Sequence, residues 1–298
     1  MEYTVRPEEE GRKVRDILRR SMGVSYTAMK SAKWNGRIRL NGEPVHADAA
    51  VHAGDAVSID WAQDAPVYEI KPFELQLEVP YLDDGLMAVV KPAGIAVQSS
   101  RNHPDDSLEN AVYAYFGCPK NFVYRPVNRL DKGTGGLMLI ARTPHVQHLL
   151  QRQLHTASFR RRYLAWTAGR PVSDEGVLDF PIAKADGATV RRIVSPAGKP
   201  SRTKYRVLRE QEEGALVLME LETGRTHQIR VHLSHIGCPV QGDFLYGTEK
   251  PETFPGCFAL HSAMLEVRHP LTGKQIRLTS LPAWAEGIDP SVLLMDFR

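Results

Sequence analysis

The stretch Asn128-Arg129-Leu130-Asp131-Lys132-Gly133-Thr134-Gly135-Gly136-Leu137-Met138-Leu139-Ile140-Ala141-Arg142 sets one acid in a basic, glycine-rich loop that runs into an apolar strand. Leu137 to Ala141 reads as a buried strand that holds the loop, and Gly133, Gly135 and Gly136 open conformations closed to other residues and let another molecule approach closely. From these residues alone two readings are equal: a glycine turn capped by Asp131, or a reactive carboxylate on a rigid shelf. The charge context favours the second. From Lys132 to Ser173 there is no acid, while Lys132, Arg142, Arg152, Arg160, Arg161, Arg162 and Arg170 are basic. A lone acid among cations stays ionised, in a field that attracts polyanions.

The chain of 298 residues, 42 % hydrophobic and 24 % charged, suits one large globular domain or two. Met1 to Gly11 is acidic rather than a basic leader with an apolar run, and no apolar stretch approaches the length of a membrane span, so a cytoplasmic location without membrane contact is expected. Cys118, Cys238 and Cys257 are too few and too far apart for a disulfide framework or a C-x-x-C zinc site. His232, His235 and Cys238 recur every third residue but lack a fourth ligand, so no metal is expected.

A net charge of +3 says little by itself, but the cations cluster. Residues 11–40 hold nine basic residues against the single acid Asp16, and Gly187 to Arg209 holds Arg191, Arg192, Lys199, Arg202, Lys204, Arg206 and Arg209 with no acid. Separated basic stripes fit a phosphate backbone tracked across one face.

Residues 1–61 read as a small α+β domain. Val14, Ile17 and Leu18 fall at helical spacing, Ser25 caps a second helix containing Ala28, Met29 and Ala32, and Asn35-Gly36 ends it. Ile38, Leu40, Val45, Val51, Val57 and Ile59 suggest short strands, with Asn41-Gly42 as a hairpin turn. Residues 62–74, with Pro66 and Pro72 and no periodicity, read as a linker, and 75–298 as the large domain. There, Val79 to Leu82 and Leu86 to Val90 are strands about a turn, and Ser107 to Phe116 is a helix with Leu108, Ala111, Val112 and Tyr115 on one face. Thr143 caps a helix with Pro144 at its first position and Val146, Leu149, Leu150 and Leu154 as its stripe. Later strands at Tyr163 to Ala168, Tyr205 to Leu208 and Ala215 to Leu221 complete a mixed, mainly antiparallel α+β sheet with flanking helices.

Three separated segments carry a resemblance. Asn128 to Gly136 resembles the H-R-L-D-x-x-T-S-G signature of the RluA-type RNA pseudouridine synthases, with Asn128 in place of histidine and Gly135 in place of serine. Arg161 to Ala165 resembles the family's R/K-x-Y-x-A. Gly224-Arg225-Thr226-His227-Gln228-Ile229-Arg230-Val231-His232 matches G-R-T-H-Q-I-R-V-H, and the Asp83 to Gly94 segment resembles the family's opening, with Val90 where asparagine is common. The N-terminal pieces, including "GRIRLNGEPV" and "VHAGDAVSI", resemble the small RNA-binding domain named after ribosomal protein S-four. That second resemblance implies RNA contacts at Arg12, Arg15, Arg19, Lys30, Lys33 and Arg37, which give affinity rather than chemistry.

The resemblance implies an isomerase that breaks the bond between uracil and ribose, turns the base over and rejoins it through carbon-5. Asp131 is then the catalytic carboxylate, Arg230 its partner, and Tyr163 the ring that stacks on the extruded base and can relay a proton. An opposite charge within several ångström lowers an acid's pKa by roughly 1 to 3 units, which keeps the carboxylate ionised. Arg129 is nominated to fill the gap left by the flipped nucleotide, and Arg225 for phosphate or loop structure, with Thr226 as a helix cap sharing a face with His227 and Arg230. His227 and His232 read better as structural hydrogen-bond partners than as metal ligands, and Leu260 is expected to pack beside the site.

No redox or group transfer occurs, so no cofactor is expected. The expected partner is RNA, ribosomal RNA ahead of tRNA, and the expected state is a monomer. Retention of Asp131, Tyr163 and Arg230 together speaks against a second reading, an RNA-binding protein that kept the scaffold and lost turnover. A nuclease would want paired acids or a metal-bearing histidine pair, which the segments around Asp131 lack.

Overall fold

The computed structural model describes residues 2–24, 26, 29, 30, 32, 37–60, 69–154, 156–187, 190–211 and 214–297. The first strands, β1 (Glu2–Thr4), β2 (Ile38–Leu40), β3 (Glu43–Pro44) and β4 (Ala56–Ile59), pair in the order β1-β4-β2-β3. Asn41 and Gly42 turn β2 into β3 at φ 51° and 88°, the left-handed pair that a two-residue hairpin requires. Against this sheet lies α1 (Val14–Asp16), continued by a π-helical turn over Ile17–Ser21. Val14, Ile17 and Leu18 are buried there with Ile38, Val51, Val57 and Ile59 in one apolar cluster drawn from residues 5–59. Val45 and Val51 fall outside the strands, and β1 adds a strand that the apolar pattern did not signal. Met29, Lys30 and Ala32 have helical backbone. Ser25, Ala28, Lys33, Asn35 and Gly36 lie outside the described residues, as does the first half of the expected linker. Lys71 and Phe73, at the linker's end, are hydrogen-bonded to Asn110.

Strands β5 (Glu78–Leu82) and β6 (Leu86–Lys91) form a hairpin in which Asp83 Oδ1 accepts from the Gly85 and Leu86 amides, both at 2.8 Å. Helix α2 (Leu108–Tyr115) starts at the Ser107 cap. It buries Leu108, Ala111 and Val112 but leaves Tyr115 46 % exposed, so its apolar face is one residue shorter than its spacing suggests. Strand β7 (Gly135–Ala141) is buried at every position, as a strand covered on both faces must be. Helix α3 (Pro144–Gln153) begins where Thr143 Oγ1 accepts from the Val146 amide. Then come β8 (Phe159–Ala168), β9 (Glu175–Asp179), β10 (Ile182–Lys184), β11 (Arg192–Val194), β12 (Arg202–Gln211), β13 (Gly214–Leu221), α4 (Gln228–His235), β14 (Leu260–Arg268) and β15 (Gln275–Thr279).

Among the described residues nine strands form one sheet in the order β5-β6-β7-β14-β8-β13-β12-β9, with β15 also on β14. Its pairs are antiparallel except β7 with β14, which makes the fold the mixed, mainly antiparallel α+β class expected. The insertion of β14 between β7 and β8 sets the site, because Ser262 stands beside Gly136 on one side and Tyr163 on the other. A Cβ on Gly136, at φ +106°, would lie 2.4 Å from the Ser262 carbonyl oxygen. Gly136→Ala is therefore expected to cost about 2–4 kcal/mol of stability, from a forbidden φ and a clash with backbone. Thermal denaturation of the variant checks this, and a wild-type melting curve would contradict the register.

Candidate active site

Asp131 sits in the loop that feeds β7, and hydrogen bonds and close packing restrain that loop. Asn128, where a histidine was expected from resemblance, is buried and its Oδ1 accepts from the Leu139 amide at 2.8 Å, tying the loop's start to β7. The Lys132 carbonyl accepts from the Gly94 amide at 2.9 Å and from Lys91 Nζ at 3.1 Å. Lys91 is 1 % exposed and also donates to Pro92 O and Ile95 O. Burial pulls its pKa down to about 7 against the opposing pull of the Asp131 charge. A Cβ on Gly133 would stand 2.4 Å from the Phe258 ring, and one on Gly135 3.2 Å from His261 Nδ1, so glycine permits both close contacts. His261 fills the space beside Gly135, so the loop is held by packing rather than loosened there.

Across the cleft, Arg230 Nη1 donates to Asp131 Oδ2 at 2.9 Å, as expected from its position on α4. The rest of its guanidinium is held by Asp243, unremarked in the sequence. Nε donates to Asp243 Oδ2 at 2.7 Å and Nη2 to Oδ1 at 2.8 Å, with both residues buried. Burial would lower the pKa of Arg230, but the Asp243 hydrogen bonds and the charges of Asp131 and Asp243 outweigh it and hold it raised. Phe258, Tyr246 and Phe244 surround the guanidinium, with ring centroids 4.3, 4.9 and 5.8 Å from its carbon. Thr226 does not cap α4. The capping position is His227, at φ +59°, and Thr226 is exposed before it. Gln228 stabilises that turn instead, its Oε1 accepting from the Arg225 amide and Thr223 Oγ1, both at 2.9 Å. The His227 ring lies with Nδ1 2.8 Å from the Tyr246 hydroxyl and Nε2 3.8 Å from Asp131 Oδ1. Burial lowers its pKa, with the Asp131 charge opposing.

Asn128, Asp131, His227, Gln228 and Arg230 line a cleft of about 520 Å³ together with Tyr163, Arg129, Arg225, Thr226 and Leu260. Tyr163 is 5 % exposed, and burial raises its phenol pKa. Arg161 joins the lining; it stands two residues before Tyr163 on β8, and strand alternation alone puts the two on one sheet face. Asp243 and Tyr246 lie in a loop without periodicity, and only the fold discloses them. His232, by contrast, is structural as expected, bonded to Thr203 Oγ1 and Phe180 O at 3.0 Å each. His235 packs its ring on Phe180 at 4.7 Å.

Arg12, Arg15, Arg19 and Lys30 are exposed and Arg37 half-buried, and none of them lines the cleft. Arg15 pairs with Asp48 at 2.6 Å, and Arg19 lies over the Tyr26 ring at 5.7 Å. The second basic stripe is less bare than its sequence suggests. Glu222 pairs with Arg202 and Lys204 at 3.2 and 3.3 Å, and Glu175 with Arg206 at 3.0 Å, because strands adjoining β12 bring acids from elsewhere in the chain.

Buried histidines make the fold acid-sensitive. Burial holds His145 and His261 down to about 4, with the charges of His148 and Lys91 respectively adding to the effect. An unfolded histidine titrates near 6.5, so below that value the unfolded chain takes up protons that the folded chain refuses. The stability these rings contribute is full above about pH 6.5 and is lost as pH falls toward about 4. A melting midpoint at about pH 5 should therefore lie below that at about pH 7.5; equal midpoints would contradict the buried neutral rings.

The cleft thus sets one carboxylate, held by a buried arginine, among Arg129, Arg161 and Arg225 and beside the Tyr163 ring. Residues 85–235 match the family of RNA pseudouridylate synthases, and the chain belongs to that family. It is 33 % identical over 270 residues to ribosomal large subunit pseudouridine synthase D of Yersinia pestis, covering 84 % of this chain and 82 % of that one. The protein of the same name from Pseudomonas aeruginosa is 32 % identical over 293 residues, covering 92 % and 90 %. The uncharacterized RNA pseudouridine synthase YjbO of Bacillus subtilis is 31 % identical over 258 residues, covering 86 % and 90 %. Among solved structures, human RNA pseudouridylate synthase domain containing 1 shares the fold, with a TM-score of 0.60 at 23 % identity over 72 % of this chain and 86 % of that one.

Proposed function

We propose that this enzyme converts specific uridines of large-subunit ribosomal RNA to pseudouridine with Asp131 as the catalytic carboxylate. The contact of Arg230 with Asp131, 2.9 Å long in a cleft that Tyr163 also lines, carries the reading. Asp131 attacks the target nucleotide, the bond from uracil nitrogen-1 to ribose breaks, the base turns, carbon-5 bonds the same ribose carbon, the bond to Asp131 is released, and the carbon-5 proton leaves while nitrogen-1 gains one. Reactant and product are isomers, so the balance calls for no cofactor. Arg230 orients the carboxylate, and the neutral Tyr163 ring packs against the base. Arg129 fills the space vacated in the RNA, whose unstacking costs a few kcal/mol. Arg225, Thr226 and His227 hold the nucleotide's surroundings, while Arg12, Arg15, Arg19, Lys30, Lys33 and Arg37 hold RNA further off. The choice of ribosomal RNA over tRNA rests on the names of the relatives from Yersinia pestis and Pseudomonas aeruginosa and on the basic first domain. The enzyme acts as a monomer in the cytoplasm.

Pseudouridine mapping of total RNA from cells with and without the gene tests this reading. Loss of one or a few sites in large-subunit ribosomal RNA is the expected result. Loss confined to tRNA would overturn the substrate, and an unchanged map would favour an RNA-binding role without turnover.

A further inference from the structure

A second groove adjoins the cleft, and the two share Gly224, Arg225 and Thr226 as a common wall. Its other wall is the antiparallel pair of β10 and β11 with the turn that follows, and its volume is about 520 Å³. Four cations, Lys184, Arg192, Lys199 and Arg225, line it without an acid among the lining residues. Among the described residues none of the four takes part in an ion pair, although Arg202, Lys204 and Arg206 nearby in sequence are all paired. Four cations gathered in one groove without an acid, while others nearby in sequence are neutralised, make a place where an anion completes the balance.

The groove is built rather than incidental. Ile182 and Lys199 exchange backbone hydrogen bonds at 3.0 and 2.9 Å, and a Cβ on Gly198 would come within 2.5 Å of the Ile182 backbone, so glycine lets the turn close on β10. Arg225 Nε donates to Pro200 O at 3.2 Å, fastening the shared wall to the same turn. The Arg192 amide donates to the Tyr246 hydroxyl at 2.9 Å, and that hydroxyl meets His227, the neighbour of Asp131.

Resting on the proposed action on RNA, we infer that this groove binds backbone phosphates of the strand whose target nucleotide occupies the cleft, through Lys184, Arg192, Lys199 and Arg225. The shared wall makes the path continuous, so a strand with one nucleotide in the cleft can lead its neighbouring phosphates into the groove. Phosphate contacts of this kind set register and affinity without reading sequence.

Lys184→Ala, Arg192→Ala and Lys199→Ala test it, with Lys204→Ala as the paired control; the Arg192 variant keeps the backbone amide that bonds Tyr246. The probe is a fluorescently labelled stem-loop RNA with a uridine-rich loop, titrated at a series of salt concentrations, with each variant's melting curve recorded alongside. Each groove variant should weaken binding by about three- to tenfold and flatten the slope of log affinity against log salt by about 0.7 to 0.9, the release of one phosphate contact. Lys204→Ala should leave both unchanged. Groove variants that melt like wild type and keep its affinity and salt slope would overturn the inference. Wild type that forms pseudouridine in the mapping experiment alongside such variants would put the failure on the groove alone; an unchanged map would put it on the enzymatic reading. Wild type that fails to bind the probe at any salt would likewise overturn the inference, with the map alone deciding the enzymatic reading.

Discussion

Asp131→Asn is expected to abolish pseudouridine formation, by at least about 10⁴-fold, the scale on which loss of a nucleophile acts. Asparagine has the same shape, so the loop, the Arg230 contact and the cleft persist, but its amide cannot attack as a carboxylate does. The Asp131 side chain is 26 % exposed and Arg230 retains Asp243, so folding should change little. Single-turnover release of tritium from RNA labelled at uridine carbon-5 measures the loss, and fluorescence titration should find RNA affinity within about twofold of wild type. An active Asp131→Asn enzyme would remove Asp131 from the chemistry.

The second large effect is expected at Asp243. Its side chain has no exposure, receives two bonds from Arg230 and is anchored by the Leu245 and Tyr246 amides at 3.0 and 3.1 Å. Two carboxylates thus share one guanidinium, Asp243 taking two of its bonds and Asp131 one. Asp243→Asn leaves a buried guanidinium short of its main counter-charge, which costs about 3–5 kcal/mol. It also frees Arg230 to swing toward Asp131, and turnover should fall about a hundredfold or more as the preorganised charge is lost. Thermal melting and single-turnover kinetics read the two effects separately. A variant that melts and turns over like wild type would show that Arg230 needs no second anchor.

Much of this site is legible without coordinates. The glycine-rich loop, the buried strand after it, the Thr143 cap with Pro144, and the joint nomination of Asp131, Tyr163 and Arg230 all follow from local pattern or from motif resemblance. Arg161 was within reach by strand alternation from Tyr163. Other features were not. Thr226 has the chemistry of a cap, but α4 starts one residue later from a left-handed His227, with Gln228 satisfying the Arg225 amide of the turn. The stripe from Arg202 to Arg206 reads as bare charge until β9 and β13 bring Glu175 and Glu222 beside it.

Helix starts, strand faces, turns that demand glycine and the kinds of side chain available for chemistry all depend on neighbours a few residues away and can be read along the chain. Tertiary structure alone decided who meets whom. Asp131 and Arg230 stand 99 residues apart, and their meeting depends on the sheet order that carries β14 between β7 and β8. The anchoring of Arg230 by Asp243 and, among the described residues, the sparing of the groove cations from ion pairs are equally products of long-range register, because a charge's state is set by what the fold places within a few ångström, not by its place along the chain.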